Sequence, residues 1–341
     1  MKRLSITQLI PGMIVAEDVY NLDHELLIPK GTVLTDKLIT KLDLYGILTI
    51  FAEDVLPASD LSETESSYYE RIKSSPEFHL FKEDFENEVE LFRENMNLVV
   101  QKNTALDVKT LLKNTLSIVS NHSGSISILD MLQNMREYDD STYTHSLNVA
   151  LICNVIGNWL RMNEKDLKVL VTCGLLHDIG KLRVPNDIIT KPGKLTVQEY
   201  EIVKKHPQYG YEMFKDKKLD RRVKLAALQH HERFGGTGYP YGLMGSDIEY
   251  FSSIVAVADV YDAMTSNRCY RKGICPFKVI GILERDKDAY EPGVLYLFME
   301  RTIEAYVNTE VLLSNGEQGK VVLLNKSLLS RPVVMTDKGT I

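Results

Sequence analysis

The chain has 341 residues, of which 44% are hydrophobic and 26% charged. That balance is globular and excludes collagen-like, low-complexity and wholly disordered chains; the length suits about two domains. The formal net charge of −7 argues against binding long nucleic acid over the whole surface, yet leaves room for a small anion in a local basic pocket.

No stretch approaches the ~20 apolar residues of a membrane span. The opening Met1-Lys2-Arg3-Leu4-Ser5 lacks the apolar core of a signal peptide. Cys153, Cys173, Cys269 and Cys275 form no C-x-x-C pair, and the first two sit in apolar helical patterns that suit buried free thiols. A reducing cytoplasm is expected.

Residues 1–55 read as a small α+β unit. Met13–Ala16 and Leu26–Ile28 are strand candidates, Pro29-Lys30-Gly31-Thr32 is a turn, and Thr35 or Asp36 caps a short helix carrying Leu38, Ile39, Leu42 and Leu44. The unit carries no catalytic constellation; a sensory, docking or structural role is open to it. Residues 56–76 read as an acidic, solvated linker, the stretch 51–70 holding six acids and no Lys or Arg.

Residues 77–135 read as a helical link. Phe78, Phe81, Phe85, Val89, Phe92, Met96 and Val99 recur at steps of 3 or 4, with a mean of 3.5. That is the coiled-coil period, so this helix either packs on its own domain or forms a dimer seam. Residues 136–306 are helix after helix, including Leu167–Leu176, Val223–Leu228 and Ile254–Ala263, with no competing alternation. Residues 307–341 change texture to three short strand candidates around an Asn315-Gly316 turn, a β-rich tail. The fold class expected is mainly α, with small β-containing units at both ends.

Five of the eight histidines, His145, His177, His206, His230 and His231, fall within 87 residues. A single His on an apolar helix is usually a satisfied core residue. Five crowded imidazoles are hard to satisfy with protein partners, whereas a metal takes their lone pairs directly. His24, His79 and His122 are read as bystanders. Asp259 stands in the apolar run Ile254–Val260, where a buried acid must be paired or metal-bound. Nitrogen donors with a bridging carboxylate, here Asp178 beside His177, suit iron, manganese or other first-row divalent ions.

The most specific strings are His177-Asp178-Ile179-Gly180-Lys181, His230-His231-Glu232-Arg233, Gly236-Thr237-Gly238-Tyr239-Pro240 and Ala258-Asp259-Val260-Tyr261-Asp262-Ala263. Together they resemble the HD-GYP domain, a bacterial subgroup of the HD phosphohydrolases, from about residue 138 to about 301. The first fifty residues resemble a small domain often found ahead of HD-GYP domains. The resemblance implies an all-helical, metal-dependent phosphohydrolase that hydrolyses the second messenger cyclic di-GMP to linear pGpG, with a second cut to GMP left open. It implies a signalling protein that acts as a homodimer and has protein partners.

By motif match, His145, His177, Asp178 and Asp259 hold one metal. Asp178 bridges to a second, which His206, His230 and His231 complete. A hydroxide between two close metals is the nucleophile such a site makes near neutral pH. Lys181 faces the scissile phosphate and offsets its growing charge. Arg268 and Arg271 match basic family positions that contact substrate phosphate. Gly236, Gly238 and Pro240 shape a loop that approaches ligand closely. Tyr239 either meets the substrate or fills the local core. Residues 181–224 carry twelve basic and six acidic side chains, a local excess that suits a dianionic ligand.

Three-metal members of the family place a Glu four residues before the first His; here that position is Ser141, so two metals are expected. Gly235 stands where many members carry Asp, and Asn267 and Cys269 replace commoner Asp and Pro, which leaves the choice among cyclic dinucleotides open. The alternative reading is a receptor or scaffold that binds a cyclic dinucleotide with little turnover.

Overall fold

A computed structural model of the chain describes residues 2–5, 9, 13–20, 26–34, 38–39, 42, 47, 49–53, 68–102, 106–122, 127–135, 142–191, 193–266, 274–313, 316–336 and 338–340. The chain divides into two compact units, residues 1–71 with 123–127, and residues 72–122 with 128–341.

The first unit is built on short strands: β1 (Lys2–Ser5), β2 (Ile14–Val15), β3 (Val19–Tyr20), β4 (Leu26–Ile28) and β5 (Thr49–Glu53). β5 lies between β1 and β2, antiparallel to both, with Arg3 opposite Phe51 and Val15 opposite Ala52; β3 and β4 form a separate pair. Val15, Ile28, Leu34, Leu42, Ile50 and Ala52 make its core. Thr35, Asp36 and Leu44 lie outside the described residues.

In chain order the helices are α1 (Tyr68–Lys73), α2 (Pro76–Lys102), α3 (Val108–Asn121), α4 (Ile128–Met135), α5 (Thr142–Trp159) and α6 (Glu164–Leu176). A 3₁₀ turn (Ile179–Arg183) precedes α7 (Asn186–Ile189), α8 (Val197–Val203), α9 (His206–Phe214) and α10 (Arg221–Gln229). Then come α11 (Tyr250–Thr265), α12 (Pro276–Arg285) and α13 (Pro292–Glu304). The architecture is mainly α, as the periodicity implies.

The side chain of Val99 lies outside the described residues; the rest of the apolar stripe of α2 is spent inside its own unit. Phe78, Phe81, Phe85, Val89, Phe92 and Met96 are all buried, Phe92 meeting Tyr143 edge-on and Phe81 meeting His122 edge-on. Each such phenyl is worth roughly 2–3 kcal/mol when fully buried. His122 also reaches Asp84 Oδ2 at 3.0 Å, so that bystander ties the end of α3 to α2. Helices α5 and α6, which hold the apolar patterns around Cys153 and Cys173, are largely buried, and both cysteines are buried free thiols.

The last segment forms a four-stranded antiparallel sheet, β6 (Glu310–Leu312), β7 (Gln318–Leu323), β8 (Val333–Thr336) and β9 (Gly339–Thr340), in that spatial order. β9 adds a strand to the three read from the sequence; at two residues it is too short to show an alternation. No helix among the described residues is long and apolar enough to cross a membrane.

Candidate metal centre

Helix ends supply most of the site. Asn163 caps the start of α6, its side chain accepting from Asp166 N, and the helix delivers His177 at its other end, with Asp178 next. His206 opens α9, where Pro207 suits the first turn. Asp220 caps α10, which ends on His230 and hands over to His231. Two residues come from helix interiors, His145 on α5 and Asp259 on α11.

Missing side chains let these elements meet. A Cβ on Gly174 would stand 2.8 Å from Ala150 Cα, so α6 closes tightly on α5 and brings His177 to His145, ring centroids 5.2 Å apart. A Cβ on Gly180 would stand 1.9 Å from the His206 carbonyl oxygen, a distance no Cβ adopts. Gly180 therefore seats the 3₁₀ turn against α9, and with it Asp178 against His206.

The donors form two sets. Asp178, His206, His230 and His231 offer one ligand atom each within 4.8 Å of one another, and so do His145, His177 and Asp259. Asp178 faces both. Its Oδ1 lies 3.2 Å from His206 Nε2 and 3.7 Å from His230 Nε2, while Oδ2 lies 3.4 Å from His177 Nε2 and 3.6 Å from His145 Nε2. All seven are buried except His231, whose side chain is 18% exposed.

The imidazoles are set for a cation. His177 Nδ1 donates to Gly174 O at 2.7 Å, His206 Nδ1 to Val203 O at 2.7 Å and His230 Nδ1 to Ala226 O at 3.0 Å. His145 Nδ1 meets Asp262 Oδ2 at 2.7 Å. With each Nδ1 so engaged, each of these four Nε2 atoms faces into the cluster, where it can give a lone pair to a cation once any proton on it has been displaced. His177 Nε2 and Asp178 Oδ1 are buried with no hydrogen-bond partner, a costly arrangement that a metal relieves. These residues fit metal ions.

The charge balance agrees. Burial opposes ionisation of Asp178, but Lys181, His177 and His206 outweigh it and hold the carboxyl well below its usual range. Asp259 behaves likewise, its burial outweighed by His145, His231 and His177. Burial pushes His230 down to about 4 and His231 well below the ordinary value, leaving both neutral at pH 7. Burial also acts to lower His145, yet Asp259 and Asp262 raise it to about 9, so a cation bound here displaces a proton. Lys181 Nζ sits 2.6 Å from Asp178 Oδ2.

One loop walls the cluster. Glu232, buried, accepts from Tyr241 N at 2.8 Å and Leu243 N at 2.9 Å, while Tyr239 N donates to His231 O at 3.2 Å. The Tyr239–Pro240 bond is cis. A Cβ on Gly238 would stand 2.3 Å from Arg233 N, so only glycine lets the loop fold back this far. The Tyr239 ring lands stacked on His231, centroids 4.7 Å apart. Gly235 approaches the Asp288 carbonyl, its added Cβ falling 3.1 Å away.

The structure thus gathers His145, His177, Asp178, Lys181, His206, His230, His231, Tyr239 and Asp259, with Gly238 shaping the loop. Arg268, Arg271 and Ser141 lie outside the described residues. Asp262 and Glu232 carry roles that the sequence reading did not assign them. Both stood inside the quoted motif strings, and Asp262 follows Asp259 by three positions, the spacing that puts two side chains on one helical face.

The HD domain family model matches residues 110–294. A cyclic di-GMP phosphodiesterase of Pseudomonas aeruginosa is 36% identical over 192 residues, 56% of this chain and 46% of the relative. A cyclic di-GMP phosphodiesterase response regulator of Xanthomonas campestris is 37% identical over 148 residues, 42% of this chain and 39% of the relative. A 3′3′-cGAMP-specific phosphodiesterase of Vibrio cholerae is 38% identical over 148 residues, 42% of this chain and 34% of the relative. The chain therefore spans less than half the length of these relatives.

Proposed function

Since the chain belongs to the HD domain family, we propose that it is a metal-dependent phosphodiesterase that hydrolyses cyclic di-GMP to linear pGpG. The observation that carries this reading is the pair of buried donor sets joined by the two oxygens of Asp178. Two divalent ions, iron or manganese, suit a donor set of five imidazole nitrogens and two carboxylates. His145, His177 and Asp259 would hold one ion and His206, His230 and His231 the other, with Asp178 offering an oxygen to each set. Relatives named for cyclic di-GMP support the substrate.

When bound, such ions lower the pKa of water and neutralise phosphoryl oxygens. The chain's own groups do the rest. The Nδ1 hydrogen bonds hold the His177, His206 and His230 rings in one tautomer and orientation. Lys181, a quarter exposed at the edge of the cluster, donates to a phosphoryl oxygen and offsets its charge. Arg268 and Arg271 add phosphate contacts on this reading. Tyr239, fixed by stacking on His231, walls the substrate side. In the whole chain, residues 136–306 are the catalytic domain, 77–135 the helical link, 307–341 a β-rich tail, 1–55 a small α+β N-terminal domain and 56–76 an acidic linker. The protein works in the cytoplasm of a bacterium.

The test loads the purified protein with Mn(II), or with Fe(II) under anaerobic conditions, and follows cyclic di-GMP and 3′,3′-cGMP-AMP by liquid chromatography. The expected result is pGpG from cyclic di-GMP, and the mixed dinucleotide run beside it measures the preference. Measurable binding without turnover under both metals overturns the reading in favour of a receptor.

A further inference from the structure

A surface outside the donor sets continues the wall that Tyr239 begins. Helix α8 leads, through Lys204 and Lys205, straight into the ligand His206. Its start is firmly made: Thr196 and Glu199 form a reciprocal capping box, and Lys191 clamps the Glu199 carboxylate at 2.7 Å. Yet none of its residues is buried, Val197 being 76% exposed and Tyr200 48% exposed. Val197, Tyr200 and Lys204 are three and four positions apart and share one face. A well-capped helix that keeps an aromatic and a valine in water, one step from a metal ligand, is poorly explained by packing.

The geometry joins this face to the centre. Lys204 Nζ lies 5.5 Å from the Tyr200 ring centroid and 5.9 Å from the Tyr239 ring centroid. Tyr239 in turn stacks on His231. Outward from the cluster the order is His231, Tyr239, Lys204, Tyr200: imidazole, ring, ammonium, ring. Lys204 also pairs with Glu201 at 2.7 Å, but Glu201 is more than half exposed, and a surface pair of that kind is worth little against a ligand phosphate.

We propose that Tyr200 and Lys204 form the outer half of the substrate groove, Tyr200 stacking a nucleobase and Lys204 taking the phosphate that is not being cleaved. The inference rests on the dinucleotide reading above and extends it to residues no motif marks. An exposed ring face is sequence-tolerant, since every base offers a π-face, so this contact strengthens binding of cyclic dinucleotides as a class without choosing among them. A flexible ammonium between two rings supplies a point charge without fixing phosphate orientation.

The test compares two substrates on the full-length, Mn(II)-loaded protein: cyclic di-GMP, and bis(p-nitrophenyl) phosphate, which has a diester but no base or second phosphate. For Tyr200→Ala the ratio of the two kcat/KM values is expected to fall about tenfold against cyclic di-GMP, through KM rather than kcat. Tyr200→Phe keeps the ring face and is expected to stay within twofold of wild type. Lys204→Gln is expected to lower the same ratio several-fold and to weaken its dependence on salt. A ratio within twofold of wild type for Tyr200→Ala, or a Tyr200→Phe loss equal to that of Ala, overturns the stacking role while leaving the enzyme assignment standing. A wild-type protein that cleaves the nitrophenyl diester but no cyclic dinucleotide overturns the substrate reading, and this inference with it.

Discussion

Asp262 shows how one carboxylate outside the donor sets governs the site. Its Oδ2 accepts from His145 Nδ1 at 2.7 Å, and its Oδ1 accepts from Asn148 Nδ2 at 3.0 Å and Ser266 Oγ at 3.1 Å. Those donors hold the anion still, and the anion holds the ring. Asp262→Asn replaces the anion with a neutral amide and loosens the tautomer of His145. Such outer partners typically account for 10–100-fold in metal affinity. The variant is therefore expected to lose metal on dialysis at a chelator concentration that wild type tolerates, with helical content unchanged. Equal metal retention, measured by elemental analysis, refutes the positioning role.

At the scale of elements, α2 and α3 carry a buried acid unrelated to the metal centre. Glu88 is 3% exposed, its Oε1 has no hydrogen-bond partner, and Asn114 on α3 donates to the carboxyl. Burial raises its pKa from 4.5 to about 7 despite that bond. The folded state thus favours the neutral acid. This contribution is complete below the unfolded pKa and is lost as pH rises through about 7. Glu88→Gln keeps a neutral, hydrogen-bonding side chain at every pH. Urea unfolding at pH 5 and pH 8 is expected to show the variant nearly equal to wild type at pH 5 and about 2 kcal/mol more stable at pH 8. A difference that does not grow with pH sinks this account.

At the scale of the molecule, the donor sets knit five helices. α5, α6, α9, α10 and α11 each present at least one ligand at an end or along a face, and Asp178 joins them through the 3₁₀ turn. Removing bound cations leaves buried, unpartnered atoms at the meeting point of all five. A ligand held at 1,000 times its Kd stabilises the folded state by about 4 kcal/mol. For a helical unit of this size that corresponds to a Tm lower by about 10 °C after chelation. Calorimetry with and without EDTA, followed by Mn(II) add-back, measures it. A Tm indifferent to chelator in a protein that contains metal before treatment counts against ligands shared among the helices.

The sequence by itself determined the mainly helical class, because 3.6-residue periodicity is a local property. It also determined the chemistry of the donors, because the strings at His177-Asp178, His230-His231 and Asp259 are too dense in ligands to satisfy one another within a core. It left α2 between a dimer seam and a domain helix, since a heptad stripe looks the same in either setting; the buried Phe and Met side chains show what that face packs against. Only tertiary structure revealed Asp262 behind His145, 117 positions apart. It also revealed Glu232 pinning the loop that stacks Tyr239, and Lys204 between two rings. These roles depend on close approach between separate helices and a folded-back loop, which no periodicity encodes. They were fixed where glycine at 174, 180 and 238 let backbone meet backbone.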